Sequence, residues 1–176
     1  MDAIRNVVVN DCIIRNSNRC IGIQNRDEGV VENVLFSNII AEGRLFDDVW
    51  WGKAEPIYVT AYKRASVAHK DSNVRFAKGQ TVGCVGKVKN VAFTNIRCDS
   101  ENGIFVGGEP GKISNISFRH IDLFIDKKTG YPGGLYDLRP SDTVGLLQAR
   151  TAGFYFSTAS DISILDSSVT WGEHKA

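Results

Sequence analysis

The sequence lacks the features that mark a membrane protein or a nucleic-acid-binding protein. No apolar run approaches the ~18 residues of a membrane span, and the first residues have neither the charged nor the apolar region of a signal peptide. Lys and Arg together number 21 against 20 for Asp and Glu, so the net charge of +1 creates no overall field that attracts polyanions. We therefore expect no nucleic acid and no membrane among the partners.

Cysteine and histidine are also scarce. The four cysteines show no CxxC or Cys/His spacing of the kind that binds zinc, and they are too few for a disulfide-built fold, which favours buried free thiols. The three histidines share no spacing, and none stands out as a general base. Aspartates clustered in the way that binds calcium are not visible either. The sequence therefore predicts neither a metal site nor a cofactor.

A nine-residue repeat is the most informative feature of the chain. Five segments align without gaps, and each begins with Asn or Asp followed by residues that alternate between apolar and variable. The segments are Asn6–Ile14, Asn33–Ala41, Asn90–Cys98, Asn115–Leu123 and Asp161–Val169. A period of two places the apolar side chains on one face of a strand, so this face is predicted to form the core.

Polar residues recur at two positions of this repeat. The leading Asn residues are expected at equivalent turns, where their amides bond the backbone and one another. His120 occupies a second recurrent position, which the other segments fill with Asp or Asn, so we predict a hydrogen-bonding role in a turn for it. For both positions a structural role is favoured over a catalytic one.

A second and weaker set of strands follows most of these segments: Cys20–Gln24, Pro56–Tyr62, Asn102–Gly107 and Gly153–Ser157. The nine-residue segments start 27, 57, 25 and 46 residues apart, which indicates a short period interrupted by insertions. Insertions leave a solenoid through its turns without disturbing the stack, and no capped amphipathic helix is visible. The sequence therefore predicts an all-β, right-handed, single-stranded parallel β-helix of about five coils.

Residues 1–176 are interpreted as one partial domain of this kind, with long insertions near 42–55, 63–87 and 126–152. The insertion at 126–152 is rich in Gly, Pro and charged residues. It forms either the rim of a cleft or a loop that covers the side of the coils, and we favour the cover.

Several segments resemble a known family of enzymes. Ile4–Cys12, Arg19–Gln24, Val31–Ile39 and Glu55–Val59 resemble the later coils of glycoside hydrolase family 28, which contains the polygalacturonases and related pectin-degrading enzymes. Gly133–Pro140 and Val169–Gly172 are similar to the C-terminal region of bacterial members. The resemblance covers nearly the whole chain. It implies a secreted or periplasmic protein whose partner is a polysaccharide or oligosaccharide.

The resemblance also implies inverting hydrolysis of galacturonan, which requires carboxyl groups about 6.5–9.5 Å apart. The acidic and histidine motifs of the family would lie before Met1, and its Arg-Ile-Lys motif falls on Gly22, Ile23 and Gln24, so both cations are missing. We therefore expect a fragment without catalytic residues, inactive alone and able to self-associate through open coil ends. A neutral or differently charged pectic sugar is an open alternative to galacturonate.

The resemblance makes the second set of strands the substrate-facing sheet. Alternation places Gly22, Gln24, Tyr58, Thr60, Tyr62 and Phe105 on its outer side. Gln24, Tyr58 and Tyr62 are therefore candidate sugar-binding residues, because flat rings suit the apolar face of a pyranose. The competing interpretation for the tyrosines is ordinary surface packing.

The connector before that sheet and its surroundings supply the other candidates. Trp50 and Trp51 are expected either to form a cleft wall or to be buried under a folded loop. Arg26 and Lys53 are the cations nearest the expected cleft, although solvated surface charges are favoured. Asp47-Asp48 is the only Asp-Asp pair, and an exposed acidic turn is favoured for it over catalysis.

Two functions from different classes follow from these residues. The first is a part of a polygalacturonase-like hydrolase acting on pectic or related polysaccharide. The alternative is a non-catalytic carbohydrate-binding or adhesive β-helix, which would use the same tyrosine and tryptophan surface for recognition.

Overall fold

The computed structural model describes residues 3–64, 83–139, 141 and 145–174. Within these residues the chain forms strands and no helix, so this part contains no apolar helix of membrane-spanning length. The strands are β1 (Ala3–Ser17), β2 (Arg19–Asn25), β3 (Val30–Gly43), β4 (Glu55–Ala61), β5 (Val88–Ser100), β6 (Ile104–Gly108), β7 (Ile113–Ile125), β8 (Leu135–Asp137), β9 (Leu146–Gln148), β10 (Phe154–Ser157), β11 (Ala159–Leu165) and β12 (Ser168–Trp171).

Two parallel sheets contain all of these strands except β8 and β9. The first sheet has the order β1-β3-β5-β7-β11, with β12 also paired to β7, and the second has the order β2-β4-β6-β10. Each long strand of the first sheet is followed along the chain by a shorter strand of the second, in the case of β7 only after β8 and β9. The chain then returns to pair beside its previous strand. The all-β prediction is confirmed, and the stacked parallel sheets form a parallel β-helix-like arrangement.

The register of the first sheet matches the gapless alignment of the nine-residue repeat. Val34 pairs with Val7 on one side and with Val91 on the other, and Val91 pairs in turn with Ile116. The neighbouring core position carries three phenylalanines whose rings stack with centroids 5.2 and 5.1 Å apart: Phe36, Phe93 and Phe118. Equivalent residues of successive segments therefore lie directly above one another, and the predicted core face is the observed one.

The leading Asn residues form the predicted ladder. Each leading residue of the five segments has φ between 54° and 57°, a left-handed conformation that Asn tolerates better than most residues. The Nδ2 atom of Asn33 donates to Oδ1 of Asn6 (3.2 Å), that of Asn90 donates to Asn33 (3.1 Å), and that of Asn115 donates to Asn90 (2.8 Å). The ladder joins the first four coils, each to the one before it.

A second ladder runs along the other recurrent polar position. There the Nδ2 atom of Asn38 donates to Oδ1 of Asp11 (3.1 Å), and that of Asn95 donates to Oδ1 of Asn38 (2.8 Å). His120 has the same left-handed backbone, with φ of 52°, and its Nε2 atom lies 3.7 Å from Oδ2 of Asp166. The turn position predicted for His120 is confirmed, although its contact with Asp166 is longer than a hydrogen bond.

The insertions differ in how they pack. Most of the predicted insertion at 63–87 lies outside the described residues. The insertion at 126–152 contains an antiparallel hairpin, β8 and β9, that packs against the outer face of the second sheet, as the cover interpretation predicts.

The cysteines are all free, but only Cys98 is buried and Cys84 is exposed, so the prediction of buried thiols is wrong for Cys84, which lies outside the strands. Burial raises the pKa of Cys20 to about 12 and also raises the pKa of Cys98, which disfavours the reactive thiolate form of both.

The ladder makes a testable contribution to stability. Asn90→Ala should lower the free energy of unfolding by about 2 kcal/mol, because it removes two ladder hydrogen bonds and places a Cβ-bearing residue without a polar side chain in a left-handed turn. Asn90→Gly should cost only about 1 kcal/mol, because it loses the same bonds but tolerates the backbone conformation. Urea denaturation measures both, and a larger loss for Asn90→Gly than for Asn90→Ala would contradict this account.

Candidate functional site

The outer face of the second sheet is not an open floor. Tyr58, Thr60 and Phe105 point outward from the coils as predicted, but their solvent exposure is zero. Tyr136 of the hairpin stacks on Phe105 with ring centroids 4.6 Å apart. The expectation of an exposed sugar-binding surface is therefore wrong for these residues, because the hairpin insertion occupies the space that a ligand would need.

The hairpin is fastened to the sheet by polar contacts as well as by aromatic packing. The hydroxyl of Tyr58 donates to the backbone oxygen of Asp137 (2.6 Å), and the buried carboxylate of Asp137 accepts bonds from Nε and Nη2 of Arg139. Tyr62 is also buried; burial raises the pKa of its hydroxyl, which interacts with Ser157. Both candidate tyrosines thus contribute to the packing of the cover in this structure.

A cleft remains open beside the edge strand β2. Its volume is about 280 Å³, and its lining residues are Ser17, Asn18, Arg19, Gln24, Trp50, Trp51 and Gly52. Three of the residues predicted from the sequence, Gln24, Trp50 and Trp51, therefore meet at one site. Trp50 and Trp51 are 66% and 38% exposed, and their rings lie nearly parallel with centroids 6.5 Å apart.

Hydrogen bonds and close contacts of its backbone hold the connector that carries the tryptophans in place. The amide of Phe46 donates to Oδ1 of Asn18 (2.9 Å), and Nη2 of Arg139 donates to the backbone oxygen of Val49 (3.1 Å). Gly52 approaches Asn18 so closely that a Cβ at this position would lie 2.5 Å from the Asn18 carbonyl oxygen. The tryptophans are therefore presented by a fastened loop, which reduces the entropy cost of holding them in place.

Lys53 also helps to hold this connector in place. Its Nζ atom donates to the backbone oxygens of Asp48 and of Trp50, the latter at 3.0 Å. The residue is 3% exposed, and burial lowers the pKa of its ammonium group. The expectation of a solvated cation is wrong for Lys53, because two backbone oxygens of the connector bind its ammonium group.

Arg19 is the charged residue among the four lining residues that sequence reasoning missed. Its Nε and Nη2 atoms donate to the two carboxylate oxygens of Glu55 at 3.2 and 3.0 Å, and its Nη2 atom also donates to the backbone oxygen of Trp51 (2.8 Å). The guanidinium carbon lies 3.5 Å from the centroid of the Tyr58 ring. Glu55 is fully buried, so this bidentate pair fixes the wall of the cleft.

A sequence signal for this pair existed. Arg19 and Glu55 are the first residues of β2 and β4, which are neighbouring strands of the second sheet, and they are direct partners in the register. Aligning those two strands, as the nine-residue segments were aligned, would have placed the opposite charges side by side.

Arg26 lies behind the cleft wall. It is 4% exposed, and its Nη2 atom donates to the backbone oxygen of Arg139 (3.3 Å) and to Oε1 of Gln24 (3.5 Å). Its Nε and Nη1 atoms have no hydrogen-bond acceptor among the described residues, and burial lowers the pKa of the guanidinium. The expectation of a solvated charge is wrong for Arg26, because the hairpin excludes water from it. It supports Gln24 and is not one of the lining residues.

The acidic groups near this cleft are not among its lining residues. Its lining contains no Asp, Glu or His. Asp47 and Asp48 are exposed, and Oδ1 of Asp47 accepts a hydrogen bond from the amide of Val49 (2.8 Å), which is the acidic turn favoured by the sequence. Across the described ranges, no group of three or more His, Cys, Asp and Glu side chains is placed to hold a metal ion. The site can bind a ligand by stacking and hydrogen bonding, but its lining offers no acid or base.

Comparisons with protein-family models, with curated proteins and with solved structures find no match to this chain.

The buried pair can be tested by a double-mutant cycle. Arg19→Met should lower the free energy of unfolding by about 3–5 kcal/mol, because it leaves the Glu55 carboxylate buried without its cation. The double variant Arg19→Met, Glu55→Gln should lose less free energy of unfolding than Arg19→Met alone, since the pair then leaves no buried charge. Arg97→Met, which breaks the exposed ion pair of Arg97 with Asp122, serves as the control and should change the free energy of unfolding by less than about 1 kcal/mol. Urea denaturation in which the double variant is no more stable than Arg19→Met would contradict the assignment.

Proposed function

We propose that this chain is part of a polygalacturonase-like glycoside hydrolase of family 28, with a right-handed, single-stranded parallel β-helix of about five coils. Its cleft beside β2 binds pectic or related polysaccharide. The observation that carries the proposal is the convergence of Trp50, Trp51 and Gln24 on one open cleft. The resemblance of its coil segments to those of the family supplies the substrate class.

The chemistry of the cleft suits a sugar. The apolar faces of pyranose rings stack on exposed, rigidly held indoles, and two adjacent indoles offer a surface for more than one ring. The amide of Gln24 supplies both a donor and an acceptor for sugar hydroxyls. Apolar surface with a few placed polar groups is the general composition of small-molecule sites.

The cations near the cleft already have partners within the chain, which favours sugars that carry little negative charge. Arg19 has its guanidinium paired with Glu55, and Arg26 lies behind Gln24. Neither cation is placed like a free partner for a carboxylate, and the Arg-Ile-Lys motif of the family is replaced by Gly22, Ile23 and Gln24. A neutral or partly esterified pectic chain therefore fits the wall better than fully charged galacturonan.

Catalysis is not assigned to the lining of this cleft. Inverting hydrolysis requires two carboxyl groups about 6.5–9.5 Å apart on either side of the glycosidic bond. The seven lining residues include no carboxylate. This observation also supports a second candidate function, a non-catalytic carbohydrate-binding or adhesive β-helix that uses the same tryptophans.

Binding can be measured directly on the chain. Titration calorimetry with neutral and acidic pectic oligosaccharides should detect saturable binding, stronger for the neutral series. Trp50→Ala and Trp51→Ala should each weaken binding about tenfold, because each removes an aromatic face worth about 1–1.5 kcal/mol. Phe46→Ala is the matched control, since Phe46 is an exposed aromatic (52%) of the same connector outside the cleft lining. Equal losses for Phe46→Ala and Trp51→Ala, or no binding at all, would overturn the sugar site.

Hydrolysis by the chain is a separate measurement. Purified chain incubated with polygalacturonan, rhamnogalacturonan or esterified pectin should release no reducing sugar above a buffer blank, because the cleft has no acid or base. Release that is abolished by Asp47→Asn or Asp48→Asn would contradict this expectation and would make the Asp47-Asp48 pair catalytic. Binding without hydrolysis leaves the cleft assignment intact.

A further inference from the structure

The two side-chain amides that line the cleft beside β2 use their oxygens and their nitrogens differently. Oδ1 of Asn18 accepts a hydrogen bond from the amide of Phe46 (2.9 Å). Oε1 of Gln24 accepts from Nη2 of Arg26 (3.5 Å). Nδ2 of Asn18 and Nε2 of Gln24 have no hydrogen-bond partner among the described residues. Both amides therefore engage their oxygen within the chain and leave their N–H groups for a ligand.

Arg19 shows the same division. Its Nε and Nη2 atoms donate to Glu55, and Nη2 also donates to the backbone oxygen of Trp51, whereas Nη1 has no acceptor in the described part of the chain. A guanidinium group has donors only, and pairing with the fully buried carboxylate of Glu55 offsets its charge. Arg19 therefore offers the cleft N–H groups that belong to a charge-compensated pair.

The two indoles add donors and no acceptor, because an indole nitrogen donates a hydrogen bond and cannot accept one. Hydrogen bonds from the described residues reach Trp50 and Trp51 only at their backbone oxygens, so both indole N–H groups are unused. Ser17 is the exception in the lining: its hydroxyl donates to the backbone oxygen of Arg19 (2.7 Å) and keeps only acceptor capacity. Among the lining side chains, unused donors therefore outnumber unused acceptors.

This excess of donors restricts which ligand groups the cleft satisfies. A sugar hydroxyl can accept from these N–H groups, but its own proton then needs an acceptor, and the oxygen of Ser17 and the second lone pairs of the two amide oxygens are the few that remain. A donor that is desolvated without an acceptor costs more than a typical hydrogen bond gains. A carbonyl oxygen has two lone pairs and no proton, so it satisfies donors and demands no acceptor.

We propose that the cleft recognises an acylated sugar, whose neutral ester carbonyl, from a methyl ester or an O-acetyl group, accepts from these N–H groups. The sugar ring and the methyl group of the ester pack on Trp50 and Trp51. The inference rests on the proposed function and names the substituent that selects among neutral pectic sugars. An acyl ester places an apolar methyl group close to its carbonyl oxygen, which matches a wall made of indoles and N–H donors.

A free carboxylate has the same oxygens but adds a charge that the wall opposes. Both carboxylate oxygens of Glu55 accept from Arg19, so a bound carboxylate would lie near a negative charge that already uses this cation. The connector that carries the tryptophans adds the exposed carboxylates of Asp47 and Asp48. A neutral ester keeps the acceptor oxygen and avoids this repulsion.

The arrangement does not depend on the free edge of β2. Gln24 alternates with the buried Ile21 and Ile23, so its side chain lies on the outer face of the sheet. Gly22 has no side chain there, and a Cβ at this position would lie 3.3 Å from Cδ of Arg19. A further coil paired to the backbone of β2 would extend the outer face and leave these donors on it.

Titration calorimetry with four oligosaccharides of one backbone tests the preference. They are a methyl-esterified oligogalacturonate, its free acid, its carboxyl-reduced form, in which a hydroxymethyl group replaces the ester, and the O-acetylated carboxyl-reduced form. At least one ester should bind about tenfold more tightly than the carboxyl-reduced chain, because it gains one hydrogen bond without leaving a proton unsatisfied. The methyl ester should also bind more tightly than the free acid. The ester that shows the gain identifies whether the carbonyl of a methyl ester or of an O-acetyl group is read.

The outcomes separate this inference from the sugar site itself. Equal binding of all three neutral chains would overturn the ester preference and leave a neutral sugar site in place. Tighter binding of the free acid than of the methyl ester would overturn the preference as well. No binding of any chain would overturn both the preference and the proposed function.

Variants of the two amides test the donors directly. Gln24→Glu and Asn18→Asp each replace the unused NH₂ group with an oxygen of similar shape, and Asn18→Asp keeps an oxygen that can accept from Phe46. Each should weaken binding of the preferred ester about tenfold, because one donor is lost. Each should change binding of the carboxyl-reduced chain by no more than about twofold, because its hydroxyl can donate to the new oxygen.

Gln148→Glu is the matched control, since it makes the same change at an exposed amide of β9 outside the cleft lining. It should bind every chain like the wild type, and circular dichroism checks that each variant is folded. A merely structural effect would weaken both ligands equally. Amide variants that lose the two ligands in equal measure, or that behave like Gln148→Glu, would overturn the donor assignment.

Discussion

The structure depends on the register in which one coil lies on the next. Left-handed turns at the leading Asn residues bring each coil round at the same point, and the amides of Asn33, Asn90 and Asn115 then bond to the coil before them. Because the turns coincide, the alternating residues between them also coincide, and columns of like side chains such as the three stacked phenylalanines result. A slip of one residue would turn each column from the core to the solvent, so the turns and the core enforce the same alignment.

The stack leaves its connectors free to vary, and these connectors create the site. One connector carries the tryptophans, and hydrogen bonds between its backbone and the side chains of Asn18, Lys53 and Arg139 hold it in place. The hairpin insertion covers the second sheet from β4 onward but leaves a cleft beside β2. Which part of the second sheet is accessible to a ligand therefore depends on which part of that sheet the insertions cover.

Much of the fold could be predicted from the sequence, because the information is local and repeated. Alternation over nine residues, together with a polar turn residue at a fixed position, indicates a strand, its core face and its stacking partners. The core positions of Val34, Val91 and Ile116 followed directly from the alignment. The turn position of His120 followed from the same alignment.

The site was less predictable, because it depends on contacts between distant insertions. Nothing near Tyr58 in the sequence shows that Asp137, seventy-nine positions away, accepts its hydrogen bond and that Tyr136 covers its face. Alternation correctly gave the outward direction of Tyr58 and Phe105 but could not give their burial. For the tryptophans the sequence left two outcomes open, a cleft wall or burial under a folded loop, and contacts of the connector with distant residues such as Asn18 and Arg139 decide between them.

The most direct test of the cleft is the response of the three tryptophans to a ligand. Trp50 and Trp51 line the cleft, whereas Trp171 lies on the end strand β12 with comparable exposure. In a titration with neutral pectic oligosaccharides followed by the indole N–H resonances, the account predicts saturable shifts for Trp50 and Trp51 and none for Trp171. Shifts confined to Trp171, or no shift in any indole at saturating sugar, would contradict the assignment of the cleft.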